Sequence, residues 1–139
     1  MIVLDTNVIS ELMRPEPASS VAKWAQGLPA SDTVTTTISQ AEILYGVARL
    51  PPGRRRDALA YAATQFFDQI FARRILPFDP PAAQVYANIL AARERDGRPI
   101  SAFDAMIAAI ARSRNAGVAT RNTADFHGCG VDVTDPWSV

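Results

Sequence analysis

The sequence is poor in the side chains that form disulfides and zinc sites. It contains one cysteine, Cys129, and one histidine, His127. A single cysteine cannot form an internal disulfide, and one cysteine with one histidine provides too few ligands for a structural zinc ion. We therefore expect both to be ordinary residues of a glycine-flanked loop, in a protein of a reducing compartment.

Long hydrophobic runs are also missing. No apolar stretch approaches the roughly 18 residues that a membrane span requires. The first residues lack the basic and apolar segments of a signal peptide, since a carboxylate already stands at Asp5. These absences predict a cytoplasmic protein with no membrane partner. The 139 residues, 48% of them hydrophobic, are enough for a single domain, 1–139, with a substantial core.

The formal net charge is zero, but the basic residues are unevenly distributed. Before residue 49 they are only Arg14 and Lys23, whereas arginines predominate from Arg49 to Arg121. The clusters are Arg54–Arg56, Arg73–Arg74, and the group Arg93, Arg95 and Arg98. Guanidinium groups suit contacts with a phosphate backbone, although solvated helix faces are an equally good interpretation of such runs.

Predicted strands alternate with predicted helices along the chain. The strands are 1–5, Thr33–Ile38, Ile75–Phe78, Val118–Thr120 and Val131–Val133. The helices are Asn7–Met13, Ala18–Gly27, one that follows Ser39, Arg54–Arg73, Pro81–Asp96 and Ala102–Ala116. This order predicts an α/β sandwich with a mainly parallel sheet of four or five strands. Pro77 places Ile75–Phe78 at an edge of the sheet.

Several local features follow from the same patterns. Ser39 is a suitable N-cap, which places Glu42 at the third helical position of a capping box. Gly117 is expected to end the helix that begins at Ala102. Phe66 and Phe67 point about 100° apart on a helix, so one should pack inward while the other meets a partner.

Four carboxylates occupy positions that are otherwise apolar or structurally constrained: Asp5, Glu42, Asp104 and Asp125. In a parallel sheet, functional groups gather beyond the carboxyl ends of the strands, where all four are expected. Their mutual repulsion would require a cation, and hard oxygen ligands favour Mg²⁺ or Mn²⁺. That combination is typical of enzymes that cleave phosphodiesters. Simpler roles stay open: a helix cap for Glu42, a dipole contact for Asp104 and a turn for Asp125.

Four motifs resemble those of a known family. They are Leu4–Val8 (LDTNV), Ser39–Gly46 (SQAEILYG), Phe103–Ala108 (FDAMIA) and Thr120–Phe126 (TRNTADF). In this order and spacing the chain is similar to PIN domains. It most closely resembles VapC-type ribonuclease toxins in the FitB-like branch, from its first residue almost to its last.

The resemblance implies a PIN-like α/β/α sandwich and a metal-dependent endoribonuclease that acts as the toxin of a type II toxin–antitoxin module. It implies that Asp5, Glu42, Asp104 and Asp125 are the catalytic and metal-binding residues, for one or two Mg²⁺ or Mn²⁺ ions. The supporting polar positions are Thr6, Asn7, Thr120 and Asn122. The implied partners are an RNA substrate, a cognate antitoxin and a second copy of the chain, with DNA reached only through the antitoxin.

Two other classes of protein remain to be weighed. A PIN-like binding module without activity would conserve the fold, but the complete set of acids argues against it. A phosphoryl-transfer receiver or phosphatase also places an aspartate after its first strand. Such domains need a late lysine, whereas the only lysine here is Lys23, and a haloacid-type phosphatase needs a second aspartate where this chain has Asn7.

Overall fold

The computed structural model describes residues 1–139 and shows a five-stranded sheet enclosed by helices. The strands are β1 (Ile2–Leu4), β2 (Thr33–Thr36), β3 (Ile75–Leu76), β4 (Gly117–Ala119) and β5 (Val133–Thr134). The helices are α1 (Thr6–Leu12), α2 (Ser19–Gln26), α3 (Thr37–Ala48), α4 (Arg54–Gln65), α5 (Pro80–Arg95), α6 (Ala102–Ser113) and α7 (Thr123–Phe126). None of them combines the length and apolar character that crossing a bilayer requires.

The sheet has the order β3-β2-β1-β4-β5, and every neighbouring pair is parallel. The first strand lies at the centre, where Val3 is in register with Val34 on one side and with Val118 on the other. The predicted parallel sheet is therefore confirmed with five strands. The short β3, which precedes Pro77, lies at an edge as expected.

Alternation along the central strand divides the core into two layers. Val3 belongs to a buried cluster that includes Ile89 of α5 and Ile107 of α6. The next residue, Leu4, belongs to a second cluster on the opposite face, with Val8 of α1 among its members. Helices thus cover both faces of the sheet, and the α/β/α sandwich is confirmed.

The start of α3 differs from the prediction. The strand ends at Thr36, whose hydroxyl accepts a hydrogen bond from the Ser39 amide at 3.1 Å, so Thr36 rather than Ser39 is the N-cap. The run of threonines offers several cap hydroxyls, and the one with extended backbone at the strand end is used. Glu42 consequently lies in the second turn of α3 and forms no capping box.

The chain around β4 also departs from expectation. The helix α6 ends at Ser113, before the expected end at Gly117, and Asn115 has a positive φ of 55° just beyond it. Gly117 instead begins β4, where a Cβ atom would lie 3.2 Å from the Asp132 carbonyl oxygen. Asp125 lies in the one-turn helix α7, which follows β4 after a short turn.

The long helix predicted for Arg54–Arg73 is interrupted. After Gln65 it widens into a π-helical turn, Phe66–Ile70, which is closed by the Phe71 amide donating to the Phe66 carbonyl at 2.8 Å. The wider turn brings Phe66, Phe67 and Phe71 into the core, at 5%, 3% and 4% exposure. The expectation that one of the first two phenylalanines faces a partner is therefore wrong.

Truncation should separate the buried from the exposed side chains of this segment. We expect Phe66→Ala and Phe67→Ala each to lower the free energy of unfolding by about 3–5 kcal/mol, because each leaves a cavity. Tyr61→Ala and Ile70→Ala, at exposed positions, should change it by no more than about 0.5 kcal/mol. Urea unfolding followed by circular dichroism measures all four. Equal losses at Phe67 and Tyr61 would contradict the inward packing.

Candidate active site

Asp5 lies immediately beyond the central strand, and its side chain is almost completely buried, at 4% exposure. Its backbone amide continues the ladder by donating to the Ala119 carbonyl at 2.9 Å. One carboxylate oxygen, Oδ1, accepts from the Thr6 amide at 2.8 Å and caps α1. The other, Oδ2, accepts from the Thr120 hydroxyl at 2.7 Å. The carboxylate is therefore fixed between the ends of β1 and β4.

A threonine hydroxyl connects this aspartate to the second acidic residue. The side chain of Thr6 donates to Glu42 Oε1 at 2.8 Å, and its oxygen is 3.0 Å from the Ser39 hydroxyl. Because Ser39 and Glu42 are three residues apart on α3, both face Thr6. Local contacts from the first turn of α1 thus hold Glu42 next to the end of β1.

Amide and hydroxyl groups complete the network on the β4 side. The Asn7 side-chain amide lies 3.3 Å from the Thr120 hydroxyl oxygen and 3.5 Å from Asp5 Oδ2. Thr120 in turn accepts from the Asn122 backbone amide at 3.0 Å. The four predicted supporting residues therefore surround Asp5, although Asn122 contributes through its backbone.

The other two acids approach from α6 and α7. Asp104 is half-buried in the first turn of α6, where its amide donates to the hydroxyl of the N-cap Ser101 at 3.2 Å. Burial raises the pKa of Asp104, and the negative charge of the exposed Asp125 adds to this increase. Asp5, Glu42 and Asp104 line one depression of about 450 Å³, whereas Asp125 lies outside its lining.

The electrostatics of the site disfavour ionisation of its central group. Burial raises the pKa of Asp5 from 3.8 to about 6, and the charges of Asp104 and Glu42 add to the increase. Hydrogen bonds from Thr120 and Thr6 act in the opposite direction but do not cancel it. Burial also raises the pKa of Asp104. A nearby cation would therefore stabilise the ionised forms of both side chains.

The donors that surround the depression suit a hard divalent cation, because they are carboxylate, hydroxyl and amide oxygens. No three acidic, histidine or cysteine side chains stand close enough together to enclose one ion as they are placed. Glu42 and Asp104 are only partly buried, so their side chains can move toward Asp5. The residues present fit such a cation by their chemistry and by the raised pKa values.

Sequence reasoning missed other residues of the depression: Ser10, Glu11, Arg14 and Trp137. Helical periodicity could have found Ser10 and Glu11, since positions 7, 10 and 11 share one face of α1, and Arg14 follows the end of that helix. No local signal identifies Trp137, which reaches the site only because β5 lies next to β4.

Arg93, a candidate for contact with RNA by its place in the arginine clusters, is buried at 6% exposure. Its guanidinium donates to the backbone carbonyls of Arg98, Asp125 and His127, at 2.7, 3.0 and 2.9 Å. It also lies 3.4 Å from the Cys129 sulfur. Arg93 therefore holds the segment that carries Asp125 and is not accessible to a nucleic acid.

Comparison with known proteins agrees with this arrangement. A model of the PIN domain matches residues 2–127 of the chain. The chain belongs to the PIN-domain family. Within it, this PIN domain is 42% identical over 137 residues to Toxin FitB of Neisseria gonorrhoeae, with 99% of each chain covered. It is 38% identical to VapC ribonuclease Y4jK of Sinorhizobium fredii, and this match covers 99% of this chain and 98% of the relative. The expected membership of the VapC family, in the FitB-like branch, is confirmed.

A solved structure, FitAB bound to an IR36 DNA fragment, contains a chain with the same fold. It superimposes on this PIN domain with a TM-score of 0.92 at 42% identity, covering 100% of this chain and 97% of the other. The fold described above is therefore shared by this solved relative.

The raised pKa of Asp5 predicts how the stability of the metal-free protein depends on pH. The folded state binds this proton more tightly than the unfolded chain, so stability is favoured at low pH and is lost as the pH rises through about 6. The difference from the ordinary value of 3.8 corresponds to about 3 kcal/mol. We expect the stability of wild type minus that of Asp5→Asn to fall by up to this amount between pH about 3.5 and 7, because the folded and unfolded states differ in bound protons only between the two pKa values.

Urea unfolding in EDTA across that range measures this difference. Asp5→Asn also places an amide N–H group next to Thr120, which shifts the free energy of unfolding of the variant by an amount that does not change with pH. The diagnostic quantity is therefore the slope of the stability difference against pH. Parallel plots of stability against pH for the two proteins would contradict the raised pKa of Asp5.

Proposed function

We propose that this protein is an endoribonuclease, dependent on Mg²⁺ or Mn²⁺, that acts as the toxin of a type II toxin–antitoxin module. The observation that carries the proposal is the convergence of Asp5, Glu42 and Asp104 in one depression at the carboxyl ends of the central strands. The names of the relatives, a toxin and a VapC ribonuclease, support the same reaction.

We assign the firmest metal contacts to Asp5 and Asp104, with Glu42 and Asp125 completing the site. A bound divalent ion would lower the pKa of a water molecule and neutralise charge on the scissile phosphate. The chain itself fixes the orientation of the Asp5 carboxylate through Thr6 and Thr120. Such fixed orientation lowers the cost of assembling the site when RNA enters.

The second candidate is a PIN-like binding module without activity. One observation favours it: no three acidic, histidine or cysteine side chains stand close enough together to enclose one ion. A cleavage assay that compares Mg²⁺ or Mn²⁺ with EDTA distinguishes the two. RNA binding without metal-dependent cleavage would support the binding module.

Asp104→Asn is the sharpest test of the site, because it removes a charge at nearly constant volume and leaves the Asp5 network intact. We expect cleavage to fall by about 100-fold or more, since loss of even an outer-shell metal partner costs 10–100-fold. Asp68→Asn, at an exposed acid on the π-helical turn, is the matched control and should retain full activity. Single-turnover cleavage of RNA at saturating Mn²⁺ measures both. Full activity of Asp104→Asn would exclude the assigned site.

We further propose that an antitoxin binds the apolar groove next to the depression. The groove has a volume of about 850 Å³ and lies between α1, α3 and α4. Its lining includes Met13, Ile43, Tyr45, Leu59 and Phe103. An amphipathic segment of a partner would fit such a groove. The solved FitAB complex supports a protein partner, and its DNA fragment supports contact with DNA through that partner. A homodimer remains a prediction from the resemblance.

Two equally exposed tyrosines allow a controlled test of the groove. Tyr45, at 67% exposure, lines it, whereas Tyr61, at 68%, lies on α4 outside its lining. We expect Tyr45→Ala to weaken binding of the cognate antitoxin by about tenfold or more, since buried tyrosines are common hot spots. Tyr61→Ala should leave the affinity unchanged. Isothermal titration calorimetry measures both, and an effect at Tyr61 alone would place the antitoxin elsewhere.

A further inference from the structure

We propose that Arg121, held against Trp137, binds the backbone phosphate of the RNA nucleotide next to the scissile bond. This inference rests on the proposed function and names a substrate contact within the same site. It assigns one arginine to substrate binding, where the arginine clusters of the sequence suggest many.

The backbone fixes Arg121 beside the acidic residues. It directly follows Thr120, whose hydroxyl donates to Asp5, and its own amide donates to Asn7 Oδ1 at 3.2 Å. Arg121 lines the same depression as Asp5, Glu42 and Asp104. A phosphate held by Arg121 would therefore lie within the site, close to the phosphate that the acids address.

Charge balance in the depression singles out this residue. The lining carries the carboxylates of Asp5, Glu11, Glu42 and Asp104, with only two guanidinium groups, those of Arg14 and Arg121. Arg14 is paired with Glu11 at 3.1 Å. Arg121 takes part in neither of the ion pairs of the structure, and its guanidinium donates to no protein acceptor. The pKa of Glu11 is lowered mainly by the Ala18 amide, and further by the charge of Arg14 and then that of Arg121, but no acceptor holds the Arg121 guanidinium. Within the depression, Arg121 is the cation without a hydrogen-bonded partner, and it is available to a polyanion that enters an otherwise repulsive site.

Trp137 gives this cation a defined position. The guanidinium carbon of Arg121 lies 4.8 Å from the centre of the Trp137 ring. The indole packs against the core cluster that contains Leu4. The backbone amide of Trp137 donates to Asp135 Oδ1 at 2.9 Å. A guanidinium stacked on a fixed ring keeps its N–H edge free for a phosphate, an arrangement that lysine cannot reproduce.

Binding of RNA without metal tests the proposal independently of cleavage. A short fluorescein-labelled single-stranded RNA is titrated in EDTA with wild type, Arg121→Gln, Arg121→Lys and the control Arg95→Gln. Arg95 is exposed on α5 and lies outside the depression. We expect Arg121→Gln to weaken binding at least about fivefold and to reduce the salt slope by about 0.7, with Arg121→Lys intermediate in affinity. Arg95→Gln should match wild type.

Neutral methylphosphonate substitutions, introduced one at a time in the same RNA, locate the contact. Neutralising one particular phosphate should weaken RNA binding by wild type but should not further weaken binding by Arg121→Gln, because that variant has already lost the contact. This phosphate should adjoin the bond that wild type cuts with Mn²⁺. At subsaturating RNA, cleavage by Arg121→Gln should fall by about the same factor as its RNA affinity, because the lost contact acts through binding.

Several results would overturn the assignment. An Arg121→Gln variant that binds RNA like Arg95→Gln, with the same salt slope, removes Arg121 from the RNA path. Loss of antitoxin affinity with unchanged RNA affinity assigns the residue to the protein partner instead. If wild type binds RNA but never cleaves it, the proposed function fails while the affinity difference still decides the role of Arg121.

Discussion

The burial of one carboxylate at the end of the central strand is the constraint on which the site depends. Asp5 can be accommodated there only because hydrogen bonds from Thr6 and Thr120 satisfy both of its oxygens. The same contacts cap α1 and fasten the end of β4, while the Thr6 hydroxyl extends them to Glu42 on α3. Four elements are thereby held in a fixed relation around a single charged group.

Those hydrogen bonds position the Asp5 carboxylate, but they do not offset the unfavourable free energy of ionising it in this site. The pKa of Asp5 is raised to about 6 mainly by burial, and neighbouring carboxylates add to it. A depression with this excess of negative charge repels RNA unless cations compensate. A divalent ion held by the acids would compensate the first part of this charge, and an unpaired guanidinium at the rim would compensate the second, so the proposed reaction and the proposed role of Arg121 share one physical cause.

The arginines of this chain differ in function according to the surroundings that the fold gives them. Arg93 is buried and donates to backbone carbonyls around Asp125. Arg74 lies over the Phe71 ring, and its guanidinium donates to the carbonyls of Thr33 and Ile70, which ties β2 to the π-helical turn. Arg121 alone is both unpaired and inside the acidic depression. Clustering in the sequence does not separate these roles, because it carries no information on burial.

The sequence by itself determined the fold class, because strands and helices alternate with clear apolar patterns. Its motifs also predicted a site of four acids, of which Asp5, Glu42 and Asp104 line one depression and Asp125 lies outside the lining. It could not place the cap of α3, since neighbouring threonine and serine hydroxyls are equivalent until strand pairing ends β2 at Thr36. Nor could it foresee the π-helical turn, which buries both Phe66 and Phe67 through long-range packing. Only the tertiary structure brought Trp137 beside Arg121, because the order of strands, and not their distance along the chain, makes β5 the neighbour of β4.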